Sequence, residues 1–546
     1  MKPKGRSLDE FLDGLGPAER RLLEAAANGE AAEIGKTRPP SMTADNKIRP
    51  EFLRFLALGG DDHAPVHEKG LYLKGGWISS KLDLEFCRIP VPITLKWCNV
   101  AGSVTLRDAE LPGLFLDTTA ARGLDAERLD CKGSVYIDDS QIQGLVSFNS
   151  ARIGGDLRCV GSHFVNEAGD CLQGQEAHIT GDLILGYPFE RNSLVASGDV
   201  DFWGAQIKGD VRCSGVRFGK CVWFTGARIK GDLDFSRCSF VPSNDRAELE
   251  LERADIGGRL IFSRVTGKAK SFTLRAASVE SLVDDMPSWH IADELLLDGF
   301  RYNRFLDTEI QVGSKDWIPH SSPTDAKRRI DWLRLQPEFK PQPWEQLIRV
   351  FREMGHEEGA KRVAIAKQVE IAKQERIHKS RCVARTLHRI YGLLSGYGYR
   401  PGLLILWAIG VAALGVILFE GAAFLGVMAP TDWRVIGDTP DPLCLPERGG
   451  NWTTCQWLQG RGYPSFDPIA SSFDLITPLI ATQQTKDWAP ATRGKCPQPD
   501  FLGICELSGY RPLGLLFWIF ARLETLAGWA FGLMFVAIAS GLIKRD

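Results

Sequence analysis

The sequence predicts a mainly β chain: a right-handed parallel β-helix solenoid, then an α-helical connector, then a two-helix transmembrane module. Three observations predict it. Glycines recur at eleven-residue intervals through the first half of the chain. Two uncharged apolar runs near the C-terminus are long enough to cross a bilayer. Four cysteines cluster between those runs, whereas nine others are dispersed. The 56 glycines among 546 residues exceed the usual share of about 7%. Sixty-six basic against 68 acidic residues leave a net charge of −2, which excludes a bulk polycation and with it a nucleic-acid partner of that kind. A mean hydropathy of −0.12 excludes a many-span membrane protein.

Residues 1–67 read as a helical region and cap. Leu8-Asp9-Glu10-Phe11-Leu12 and Arg20-Arg21-Leu22-Leu23-Glu24 are amphipathic. Pro39, Pro40 and Ser41 mark a linker, and Glu51-Phe52-Leu53-Arg54-Phe55-Leu56 is expected to cap the first coil. No apolar core follows the basic start, so no signal peptide is expected and the first ~390 residues read as cytoplasmic.

The solenoid is expected over 68–285. Its unit reads small-x-apolar-x-Gly-x-apolar-x-apolar-x-x, as in Ala205-Gln206-Ile207-Lys208-Gly209-Asp210-Val211-Arg212-Cys213. Further units begin at Val216, Ala227 and Cys238, and others run from Ser140 and from Gly76. Apolar positions alternate within a unit, which is strand logic rather than helix logic. Glycine is expected to supply a positive φ at a corner, and the following aspartate (Asp156, Asp182, Asp210, Asp232) to close a turn. Two units make a coil of about 22 residues, giving ~9 coils over roughly 43 Å. A β-sandwich is the alternative; the constant interval argues against it.

Residues 286–322 form the solenoid end and linker, and 323–400 the helical connector. Trp344, Leu347, Phe351 and Met354 share one helical face, and Ala360, Val363, Ala364 and Lys367 another. This pattern is that of a helical hairpin of tetratricopeptide character, a packing or partner-binding unit.

Residues 401–546 form the membrane module. Gly402–Phe419 is an uncharged run of 18 residues and Thr525–Ile543 one of 19. Each spans about 27–29 Å as a helix, near the ~30 Å of a bilayer core. Arg376, Lys379, Arg381, Arg385, Arg389 and Arg400 precede the first run, and Lys544 and Arg545 follow the second. By the positive-inside rule both termini are cytoplasmic and the loop 429–510 is extracytoplasmic. Arg381, Arg385, Arg389 and Arg400 are candidate contacts to lipid head groups. Glu420, Arg522 and Glu524 read as span-end residues that pair or snorkel.

Cys444, Cys455, Cys496 and Cys505 suggest two disulfides in an oxidising compartment, with the pairing left open. The remaining cysteines lack CxxC or zinc spacing and read as buried thiols. Between the spans, Phe473-Asp474-Leu475-Ile476-Thr477-Pro478-Leu479-Ile480 is a short apolar segment followed by Gln483 and Gln484. Asp474, Thr477, Pro478, Gln483 and Gln484 are therefore candidate pore or outer-loop residues. No Thr-Val-Gly-Tyr-Gly filter accompanies them.

Five motifs stand in order: Ile48-Arg49-Pro50-Glu51-Phe52, the Gly-Asp-Leu repeats, Pro341-Gln342-Pro343-Trp344-Glu345-Gln346-Leu347, Gly355-His356-Glu357-Glu358 and Tyr397-Gly398-Tyr399-Arg400-Pro401. Together they resemble bacterial membrane proteins with pentapeptide-like β-helix repeats, a family commonly labelled "membrane-associated oxidoreductase". The resemblance implies redox chemistry. The residues carry no GxGxxG between strand and helix, no CxxC and no haem or iron–sulfur spacing, so no cofactor is expected. His63 and His67 lie four apart beside Asp61 and Asp62, where a polar loop is the expectation over a metal site. The expected function is a membrane-anchored scaffold or sensor, bound to membrane lipid and to a protein partner. A channel assembled from several copies and gated by the solenoid is the alternative, and an enzyme a weaker one.

Overall fold

The structure is a computed structural model that describes residues 7–166, 169–187, 193–241, 247–306, 308–311, 317–320, 322–374, 382–437, 444, 450–477, 480, 482–492 and 512–540. The chain divides into two compact units, Met1–Glu370 and Ile371–Asp546.

The first unit is a parallel β-solenoid. One coil shows its logic. Strands Asp130–Cys131, Val135–Asp138, Gln141–Gln143 and Val146–Ser147 form four sides. Each pairs in parallel with its counterpart one coil on, in the register Asp130↔Arg152, Val135↔Leu157, Gln141↔His163 and Val146↔Leu172. Two ten-stranded sheets run the length of the stack, beside a larger sheet holding the other two sides. Leu114 pairs with Val135, 21 residues away, and Leu183 with Val211, 28 away, so insertions bulge from corners without breaking the ladder. The interior is filled. Val135, Ile137, Ile142, Val146 and Phe148 of this coil are all buried. Further along, Phe202 stacks on Phe224 at 5.4 Å, and Phe224, Phe235 and Phe262 continue the column to Trp289.

The corners differ from expectation. The repeat glycines Gly155, Gly181, Gly209 and Gly231 do not have positive φ. The left-handed residue is the one before the first position of each unit: Arg128, Asp139, Ser150 and Gly161 precede Leu129, Ser140, Ala151 and Ser162. Glycine is needed at the other corner for room. A Cβ on Gly209 would lie 2.1 Å from Asp182 Oδ1, and one on Gly231 2.2 Å from Asp210 Oδ1. The aspartates do more than close their own turns. Asp156 Oδ1 accepts the Asp182 N–H, Asp182 the Asp210 N–H, Asp210 the Asp232 N–H and Asp232 the Arg259 N–H, at 2.7–3.0 Å. They form a ladder that ties coil to coil.

Parallel pairing reaches beyond 68–285 at both ends. Ala31–Glu33 pairs with Leu71–Lys74, and Lys47–Ile48 with Trp77–Ile78. Pro39, Pro40 and Ser41 thus lie between two strands of the stack, not in a linker ahead of it. Strands of two or three residues are too short to show a period. At this end α1 (Pro17–Asn28) and α2 (Pro50–Ala57) cover the coil, with Phe52, Leu53 and Leu56 buried. The buried Glu19 of α1 holds Arg49 through its backbone N–H at 2.8 Å and its guanidinium.

At the other end Arg301–Phe305 pairs with Ser278–Asp284 and is the last parallel strand among the described residues. An open edge would template further strands unless covered. Helices α3 (Ala326–Leu333), α4 (Pro341–Glu353) and α5 (Glu357–Gln374) follow. Gln342 of α4 accepts the Gly299 N–H at 2.8 Å and donates to Phe300 O, and Gln346 donates to Tyr302 O. The connector's amphipathic face is therefore spent on capping the solenoid, which explains its buried Trp344, Leu347 and Phe351. Arg329 of α3 makes a fully buried, two-pronged ion pair with Asp284, both arms at 2.7 Å, and Asp284 also accepts from Trp289 Nε1.

Eight dispersed cysteines lie within the stack as thiols outside any disulfide. Seven are buried and Cys221 is partly exposed.

Candidate functional site

In the second unit α6 (Cys382–Ser395) leads into α7 (Gly402–Phe424). The unit then holds a short helix, α8 (Pro468–Ile476), and a long one, α9 (Pro512–Ala539). Helices α7 and α9, of 23 and 28 residues, are long and apolar enough to cross a membrane. Their apolar side chains are mostly exposed: Ile417 is 68% and Leu533 65% accessible.

Helix α8 packs against both α7 and α9. Its start is set by Asp467, whose Oδ1 accepts the N–H groups of Ile469 and Ala470, and by Pro468 at the first helical position. It stops before Pro478, since the residue ahead of a proline is pushed out of helical geometry. Two glycines admit it. A Cβ on Gly415 of α7 would lie 2.4 Å from Ser472 Oγ and 2.3 Å from Glu524 Oε1. A Cβ on Gly528 of α9 would lie 2.4 Å from the carbonyl oxygen of Ile476.

Three helices thus meet at Gly415, Ser472 and Glu524. Ser472 Oγ hydrogen bonds to Glu524 Oε1 and lies 2.9 Å from Ala412 O. Ser472 and Glu524 are buried. Glu524 Oε2 is also buried, without a hydrogen-bond partner among the described residues.

This corrects the reading of Glu524 as a span-end residue. Helix α9 begins at Pro512, well before the uncharged run, because Leu513–Phe520 is itself apolar. Glu524 therefore sits mid-helix, facing the middle of α7. It bonds Ser472 rather than snorkelling. Arg522 lies 5.2 Å from the centroid of the Trp518 ring. Glu420 is exposed near the end of α7.

The outer-loop candidates shape the return from α8. Asp474 is buried, and its two oxygens accept the N–H groups of Thr482 and Thr485. Thr477 Oγ1 donates to Phe473 O at 2.6 Å. Gln483 adopts positive φ at the turn, and Gln484 bonds Asp467 N and Ser465 O. Pro478 lies outside the described residues. These groups hold the loop to α8. Sequence reasoning missed Gly415, Ser472 and Gly528; an acid inside an apolar helix was the available signal for the junction.

Cys444 and Cys455 are disulfide-bonded, in a cluster with Phe419, Met428, Trp452 and Trp488. Cys496 and Cys505 lie outside the described residues. So do Arg381 and the side chain of Arg385; Arg389 and Arg400 are exposed. His63 is exposed, and His67 Nδ1 accepts the Lys69 N–H. No group of three His, Cys, Asp or Glu that could hold a metal occurs among the described residues.

No family model matches this chain, and neither does any curated protein or solved structure.

Proposed function

We propose that this chain is a membrane-anchored scaffold or sensor whose solenoid binds a protein partner. One observation carries the reading: the solenoid is side-chain-filled and helix-covered at both ends, so what it offers is its outer faces. The second unit supplies two helices with lipid-compatible surfaces. The basic residues before α7 and after α9 favour cytoplasmic termini in a bacterial inner membrane, and the Cys444–Cys455 bond favours an extracytoplasmic 429–510 loop. Arg389 and Arg400 are placed in sequence to meet lipid head groups.

Cys221 tests the orientation, since it is the partly exposed solenoid thiol. A membrane-impermeant maleimide should leave it unmodified in intact cells and label it in inverted vesicles; labelling in intact cells rejects the topology. Binding is tested by affinity capture from solubilised membranes, comparing the native chain with outward charge reversals such as Arg217→Glu and Arg228→Glu. Unchanged capture by reversals on every face would sink the scaffold reading.

A second reading is favoured by α8. A span, a short helix lodged between spans and a second span is the plan of a two-span pore, which would require several copies. Planar-bilayer recording decides it. Unitary currents altered by substitutions on α8 support a channel, and silence from reconstituted, folded protein rejects it.

A further inference from the structure

The junction of α7, α8 and α9 identifies a site that none of the preceding readings uses. Ser472 carries one hydroxyl hydrogen. Its Oγ is in hydrogen-bond contact with two acceptors, Ala412 O and Glu524 Oε1. One hydrogen serves one of them. If Glu524 were ionised, the other contact would set two lone-pair oxygens against each other. If Glu524 is an acid, the chain of donors closes: the carboxyl donates to Ser472 Oγ, and Ser472 donates to Ala412 O. The second oxygen points the same way. Oε2 is buried with no partner among the described residues, which a neutral carboxyl tolerates far better than a carboxylate.

The charged groups on the packed elements leave this arrangement unopposed. On α7 the ionisable residue is Glu420, which is exposed. On α8 it is Asp474, whose oxygens are held by Thr482 and Thr485. On α9 it is Arg522, beside Trp518. Gly415 leaves no space between the groups for a larger ligand, since even a methyl carbon there would collide with both.

We propose that Glu524 is an intramembrane proton-binding site, occupied when α8 is docked between α7 and α9, and that docking depends on this proton. Losing the proton leaves Ser472 with one hydrogen for two acceptors, so one of its two contacts lacks a donor, and it places a carboxylate whose Oε2 has no partner among the described residues in the junction. The cost of that buried charge loosens α8 from its seat between α7 and α9. The inference rests on the reading that α7 and α9 cross a membrane.

The test uses the full chain in lipid vesicles. Infrared difference spectra of native protein against Glu524→Gln should show the carbonyl stretch of a protonated carboxylic acid at neutral pH, vanishing as pH is raised. Carboxylate bands from Glu524 at neutral pH overturn the assignment. Docking is read from a Ser471→Cys probe, because Ser471 is buried on α8. In the native background its protection from a maleimide should fall at least tenfold further across that titration than in the Glu524→Gln background. The glutamine amide still donates to Ser472, so α8 stays docked there. Equal pH dependence in both backgrounds overturns the docking step. Flotation with the vesicles reports the membrane reading separately: failure to float removes that reading, while the infrared band still reports the proton.

Discussion

Asp182 Oδ1 accepts the backbone N–H of Asp210 at 2.9 Å, one coil along, while the Asp182 N–H is itself held by Asp156. An element that looks local in sequence is thus a coil-to-coil tie. Asp182→Ala leaves the Asp210 amide without its acceptor. The expected cost is about 1 kcal/mol, or roughly fivefold faster hydrogen exchange at Asp210. Asp182→Asn keeps an acceptor and should cost less. Equal exchange in all three proteins would show that the ladder contributes nothing.

The two kinds of corner glycine should respond unequally. Gly231→Ala drives a Cβ to 2.2 Å from Asp210 Oδ1 and 2.7 Å from Gly209 O. Overpacking of this sort costs about 1–3 kcal/mol. Gly226 has φ +66° with nothing within 4 Å of the added carbon. Asparagine tolerates that backbone, so Gly226→Asn should cost well under ~1 kcal/mol. Thermal melting of the two variants orders them, and the reverse order rejects the assignment of roles.

Arg329 and Asp284 pin the α3 cap to the last coils, with both side chains fully buried. Removing one partner strands the other charge, a loss of about 3–5 kcal/mol. Arg329→Met should therefore raise proteolysis of 278–333 by more than a hundredfold, provided cleavage follows local opening. Native-like resistance would mean that the cap is held without the pair.

Asp61 accepts the N–H groups of Leu8, His63 and Ala64, and these bonds hold its carboxyl below the usual range. A depressed folded-state value gives stability that is present above the unfolded value and is lost as pH falls through the folded one. Docking of 7–12 should weaken below roughly pH 4. Asp61→Asn should flatten that acid dependence in limited proteolysis. An unchanged profile would exclude Asp61 as its source.

Burial pushes the Cys98 thiol up to about 12 and the Cys221 thiol to about 11, but Cys221 alone of the eight solenoid thiols is partly exposed. Iodoacetamide at mildly alkaline pH should modify Cys221 slowly and the other seven after unfolding. Rapid labelling of Cys213 in the folded chain would contradict its burial.

The solenoid was legible because its constraint repeats. Every eleven residues the same inward positions must be apolar, so Ile207 and Phe218, and Val211 and Val222, announce themselves by interval. The ends were not, because Ala31–Glu33 and Arg301–Phe305 join the sheets through single backbone pairings that leave no period. The spans were legible from hydropathy, and the loop cysteines from their cluster. The junction was not: Gly415, Ser472 and Glu524 come from three separated segments.

By itself, then, the sequence determined the class of each region: alternation makes strands, and long uncharged runs make helices suited to a membrane. Such patterns are local, and each segment carries its own. Only the tertiary structure decided which glycine bends the chain and which makes room for Asp182 or Asp210. It also spent the face of α4 on a cap and turned Glu524 inward to Ser472. These are matters of distance between residues far apart in the chain, and a pairing across coils or helices leaves no periodic trace in either partner.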